Sequence, residues 1–157
     1  MIGKSERKGK RLKMESSRNK ERMYKELVEL MQIDVSSGQE AELAEYLVEK
    51  LEKMGFSVTR DEAGETFGGV CGNVFAVREG ERGETVCFCS HMDRVPGGIG
   101  IRPVEENGIL KSSGDTILAA DDLSGVAAIL EGVRQAIESG EKLPKLELLF
   151  TVGEEAG

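Results

Sequence analysis

Two short apolar runs with a small-residue helix between them constrain the fold of this chain more than any other feature. Residues 85–90 are mostly apolar, the mark of a strand covered on both faces. Residues 145–152 form a second apolar strand that ends in Gly153-Glu154-Glu155-Ala156-Gly157. Between them, residues 123–139 read as a helix rich in small side chains, with Gly140 as its stop. Helices alternating with apolar strands predict an α/β layered domain around a central mixed, largely parallel sheet.

The upstream half supplies further elements. From Glu21 the residues Tyr24, Leu27, Val28, Leu30 and Met31 recur at spacings of three and four, so a helix with one apolar stripe is expected there. Asp34-Val35-Ser36-Ser37-Gly38 breaks the period. Ser37 followed three residues later by Glu40 reads as a capping box, in which each side chain satisfies a free backbone N–H of the next helix. That helix presents Leu43, Ala44, Leu47, Val48, Leu51 and Met54 to a core and stops at Gly55. Residues 56–60 and 73–77 alternate as strands do, with a Gly-rich loop over 64–72 between them. Residues 101–104 and 109–112 flank Asn107-Gly108, a dipeptide suited to a tight hairpin turn because both residues tolerate positive φ.

Charge is distributed unevenly. The net charge of -8 combines nine basic and three acidic residues in 1–22 with 12 basic and 26 acidic residues in the remainder. A basic arm on an acidic body suits an anionic surface or nucleic acid. No aromatic residues interleave these charges for base stacking, which favours a disordered tail over 1–20 and argues against nucleic acid as a partner. No apolar run approaches the roughly 18 residues that cross a bilayer, so no membrane partner is expected. Three cysteines without framework spacing suit a reducing cytoplasm, and with no secretory signal seen in the basic N-terminus a cytoplasmic location is expected.

Three acidic clusters fall at strand ends or beside them, where open α/β sheets carry their sites. In Ser90-His91-Met92-Asp93, alternate residues of an extended chain point the same way, so Asp93 can hold one ring nitrogen of His91 and leave the other for a metal. Alone, that pair fits a hydrogen-bonded core histidine equally well. Asp121-Asp122 before a helix is ordinarily a cap and a dipole charge. The flanking Ile117-Leu118-Ala119-Ala120 shifts the reading toward acids at the edge of a buried site, where carboxylates need a cation. Glu154-Glu155 is ordinarily a solvated pair. In a site, one Glu binds metal while its neighbour acts as general base. Together the clusters offer nitrogen and oxygen ligands suited to zinc, cobalt or manganese.

In this order, His91-Met92-Asp93-Arg94-Val95-Pro96, Asp121-Asp122 and Thr151-Val152-Gly153-Glu154-Glu155 resemble the motifs of the co-catalytic two-zinc exopeptidases. The peptidase T-like, or tripeptide aminopeptidase-like, branch is the nearest match. The likeness runs from about Glu21 to the end. It implies a three-layer α/β zinc-exopeptidase domain, of which 21–157 would be the N-terminal part, with the lid or dimerisation domain and the C-terminal part absent. It also implies His91, Asp121 and Glu155 as metal ligands, Asp121 bridging two ions, and a cis peptide between Asp121 and Asp122. Asp93 would orient His91, and Glu154 would be the general base acting on a water that bridges the metals. The implied cofactor is two divalent ions, Zn2+ foremost, with Co2+ or Mn2+ as alternatives. The implied substrate is a short peptide.

Three departures qualify the likeness. Arg94 stands where a small hydroxyl residue is usual, a change equally compatible with contact to an anionic substrate group, a divergent specificity or a degraded site. Leu123 stands where Lys or Arg is common. The chain has a single His, so the second metal site is incomplete, and a homodimer or a completing polypeptide is expected as partner. Cys87, Cys89 and His91 share one side of a strand, but alternate residues lie about 6.8 Å apart, which favours buried apolar packing over ligation for the cysteines. Cys71 has no evident partner. An amidase or deacylase of the same superfamily and a non-catalytic, truncated metal-binding module are the alternatives to an aminopeptidase.

Overall fold

The computed structural model describes the backbone of residues 4–156 and the side chains of residues 18–156. Helix α1 (Lys4–Gln32) is followed by α2 (Ala41–Lys53), strands β1 (Ser57–Arg60), β2 (Val74–Arg78) and β3 (Val86–His91), the hairpin β4 (Pro103–Glu106) and β5 (Ile109–Ser112), helix α3 (Ala120–Glu138) and strand β6 (Leu146–Thr151). The backbone of α1 begins at Lys4, where a disordered tail over 1–20 was expected. Lys, Arg, Glu and Met are good helix formers, so the basic segment continues the helix that the apolar stripe starts.

The sheet order is β1-β2-β6-β3. It is mixed as expected, but of its three pairings only β3 with β6 is parallel. The reason lies in the connections. Parallel neighbours need a crossover, and α3, which lies between β3 and β6 and packs on β3, supplies it for that pair.

Alternation along the strands decides which face is buried. Val74 and Ala76 of β2 lie beside Phe150 and Leu148 of β6, and all four are fully buried. Against them pack Leu30 of α1, Leu47 of α2 and Leu130 of α3, so the three helices share one core on one face. These two layers belong to the expected three-layer domain; a helical layer on the far face is not among the described residues. β3 departs from its reading as a doubly covered strand: Val86 and Phe88 are 38% and 41% exposed. An apolar run reports what a strand can bury, not what stands beside it.

Several turns form where the sequence places them. Gly55 ends α2 with φ +83°, and Asn107-Gly108 turns the hairpin with φ of 54° and 77°. The loop over 64–72 opens with a single 3-10 turn, Ala63–Phe67. An ion-pair network fastens α1 to α3. Arg22 donates to both Glu131 oxygens at 2.8 Å and to Glu138, while Arg134 bridges Glu26 and Glu131. Lys50 of α2 joins through Glu26. No described helix is long and apolar enough to cross a membrane.

Candidate metal centre

Because β3 and β6 run parallel and in register, their carboxyl ends coincide: His91 is paired with Thr151. The chain leaving β3 delivers Met92 and Asp93, and the chain leaving β6 delivers the turn Glu154–Ala156. The start of α3, the crossover between the two strands, brings Asp121. Three segments far apart in sequence therefore meet at one end of the sheet, where α/β folds bind ligands.

At that point one ligand atom each from His91, Asp121 and Glu155 lies within 4.8 Å of the others. His91 Nε2 is 3.1 Å from Asp121 Oδ1. On its other side, Nδ1 is 3.1 Å from the Asp93 main-chain oxygen and 3.5 Å from Asp93 Oδ1. Burial alone would make the imidazole less basic. The bond to Asp121, the Asp93 carbonyl, and the charges of Asp93 and Glu154 outweigh it, so the His91 pKa is raised. The ring thus faces a strongly negative environment that favours a cation. One imidazole nitrogen and two carboxylates, with the far ring nitrogen already held, fit zinc, cobalt or manganese.

Asp93 does more than orient the ring. It is buried, and its two oxygens accept the N–H groups of Glu154 (3.0 Å) and Glu155 (2.9 Å) as well as Ser37 Oγ–H (2.7 Å). Glu154 is exposed, with its backbone pinned by Asp93. The other acids are less enclosed than their apolar flank suggested: the Asp121 side chain is 83% exposed, because it stands before the packed face of α3 begins. The peptide between Asp121 and Asp122 is cis.

Asp122 is outside the ligand group. Its carboxylate accepts Ser90 Oγ–H (2.6 Å) and the Gly125 N–H (3.1 Å). A Cβ at Gly125 would clash with the Asp122 carboxylate. Gly125→Ala is therefore expected to cost about 1–3 kcal/mol through overpacking. Gly132→Ala on the same helix meets open space and should stabilise by about 0.5–1 kcal/mol. Urea unfolding of the two variants checks this, and a Gly125→Ala protein as stable as wild type would refute it.

Arg94 is not available to a substrate. It is 1% exposed, and its guanidinium donates to the carbonyls of Gly98 (3.0 Å), Leu30 (3.4 Å) and Met31 (3.5 Å), closing the C-terminal end of α1. Burial lowers its pKa against the raising effect of Asp34. Leu123 is likewise core. Cys87 and Cys89 are exposed rather than buried, since they lie on β3, and the metal-ligand group contains neither. The capping box does not form: α2 begins without a side-chain cap, and Ser37 and Glu40 bond elsewhere. Asn73 also supports the site, its Oδ1 accepting the Val152 N–H at 3.0 Å.

A sequence-family comparison meets this geometry directly: the model of peptidase family M28 matches residues 73–157, the stretch holding all three clusters. The chain belongs to this family. The family is metal-dependent. Aminopeptidase PepT from Bacillus cereus is 36% identical, superposes with a TM-score of 0.84, and is matched over 87% of this chain and 37% of its own. Protein YqjE of Bacillus subtilis is 39% identical over 88% of this chain and 38% of its own length. Succinyl-diaminopimelate desuccinylase of Nitrosospira multiformis is 33% identical over 71% and 29%. The chain thus spans well under half the length of these relatives.

Proposed function

We propose that this M28 chain supplies the first ligands and the general base of a metal-dependent aminopeptidase that cleaves short peptides. The convergence of His91, Asp121 and Glu155 at the ends of β3 and β6 carries the reading, supported by the similarity to aminopeptidase PepT. Two divalent ions, zinc foremost, are proposed, with Asp121 as the shared ligand. Bound there, they supply Lewis acidity toward the peptide carbonyl and the attacking water.

The chain's own residues do the rest. Asp93 holds the His91 ring so that Nε2 faces the ligand group. The same carboxylate fixes the backbone of Glu154 and Glu155, one turn presenting base and ligand side by side. Glu154 takes the proton from water and returns it to the departing amine. The remaining ligand of the second ion comes from a second copy or a completing polypeptide. Three free cysteines suit a reducing cytoplasm as the place of action.

A deacylase acting on N-acylated amino acids is the second reading, favoured by the similarity to the desuccinylase. The test is a fusion of this chain to the remainder of the Bacillus cereus enzyme, assayed with zinc, cobalt or manganese. Leu-Gly-Gly should be cleaved, and His91→Ala should abolish both cleavage and Co2+ binding. Preferential release of succinate from an N-succinyl amino acid would replace the aminopeptidase reading with the deacylase one.

A further inference from the structure

Ser37 and Glu40 have the spacing of a local helix cap, yet neither caps α2. Each instead reaches a residue far along the chain. Ser37 Oγ donates to Asp93 Oδ2 at 2.7 Å, across 56 positions. Glu40 is fully buried, and its Oε1 accepts the N–H of Gly38 at 2.8 Å and that of Gly153 at 3.3 Å, the latter across 113 positions. Its other oxygen, Oε2, is buried without a hydrogen-bond partner among the described residues. Enclosing a carboxylate under a backbone turn with one oxygen unsatisfied is costly, and a cap at the helix surface would avoid that cost.

The two contacts converge on one target. Gly153 directly precedes Glu154 and Glu155, whose N–H groups are the ones Asp93 accepts. Asp93 is itself oriented by Ser37. We infer that Ser37 and Glu40 are positioning residues that set the Gly153–Glu155 turn, and with it the metal ligand and the general base. This rests on the metal-hydrolase reading above. Glu40 holds the turn at its entry through Gly153. Ser37 holds it at its centre through Asp93, so both act on Glu154 and Glu155 without touching substrate. Gly153 adopts φ +67° and lies against the Phe67 ring, which leaves the turn little freedom to find the position by itself.

The test compares amide hydrogen exchange and Co2+ affinity in the full chain for wild type, Ser37→Ala, Ser37→Thr, Glu40→Met and Glu40→Gln. Exchange at the Glu154 and Glu155 amides should rise about tenfold in Ser37→Ala and Glu40→Met, with the Leu148 and Phe150 amides of β6 unchanged. Co2+ affinity should fall about 10–100-fold in the same two variants. Ser37→Thr and Glu40→Gln keep the donor and the acceptor and should restore both readouts. Unchanged exchange at Glu154 and Glu155, or an equal rise along all of β6, would overturn the inference. If the wild-type chain takes up no Co2+, the metal reading of the preceding section falls, while the exchange comparison still decides the positioning roles.

Discussion

In the fusion with the remainder of the Bacillus cereus enzyme, Glu154→Gln is expected to lower peptide hydrolysis by about 10²–10⁴-fold, the range for loss of a general base. Co2+ binding should persist. The separation follows from the geometry: the ligand group is His91, Asp121 and Glu155, and Glu154 is outside it. The amide side chain keeps the size of Glu154 and cannot take a proton. The backbone N–H that Asp93 accepts is untouched, so the turn should keep its place. Glu155→Gln should behave in the opposite way, losing Co2+ affinity together with activity. Equal loss of metal binding in the two variants would mean that both carboxylates are ligands and that the base lies elsewhere.

The second large effect is on stability. Glu131 is 2% exposed and is held by Arg22, Arg134 and Gln135. Removing one member of a buried ionic network leaves its partners uncompensated, at about 3–5 kcal/mol. Glu131→Ala should fall at the low end, about 3 kcal/mol, because Arg22 keeps Glu138 and Arg134 keeps Glu26.

The same network has a pH signature. Burial works to raise the Glu131 carboxyl, but the bonds from Arg22, Gln135 and Arg134 win and hold it below its ordinary value. The bond from Arg22 lowers Glu138. A carboxylate depressed in the folded state contributes its full stability above its unfolded pKa of about 4.3 and loses it as pH falls through the lower folded value. Melting temperature should therefore be flat across this range from neutrality down to about pH 5 as far as these groups act, and fall below it. The acid-side slope should be shallower in Glu131→Ala; an unchanged slope would remove the network from the account of acid sensitivity.

Much of this architecture was legible because it is local. The stripe through Leu43, Leu47 and Leu51, the stop at Gly55 and the Asn107-Gly108 turn depend on neighbours within a few residues, so their spacing suffices. His91, Asp121 and Glu155 were named through the resemblance to the two-zinc exopeptidases rather than through spacing, and the parallel register of β3 with β6 brings the strand ends that carry two of them together. Other features depend on distant partners. Ser37 and Glu40 satisfy a capping pattern, but the Asp93 carboxylate is a stronger acceptor for a hydroxyl than any neighbouring group, and position 93 says nothing locally about position 37. Arg94 looks like a surface cation until the carbonyls of Leu30 and Met31 are placed around it. The exposure of Cys87 and Cys89 depends on what lies beyond β3, which no property of residues 86–91 encodes.

The strand order also sets a sequence of events during synthesis. β6 lies between β2 and β3 in space but follows both along the chain. While the ribosome is still making α3, those two strands have no shared neighbour, and each offers a row of free amide and carbonyl groups. Only when 146–151 emerge can the gap close, in a pairing of high contact order that forms slowly. Bringing His91 and Glu155 together is thus coupled to the last sheet-forming event in this stretch of chain.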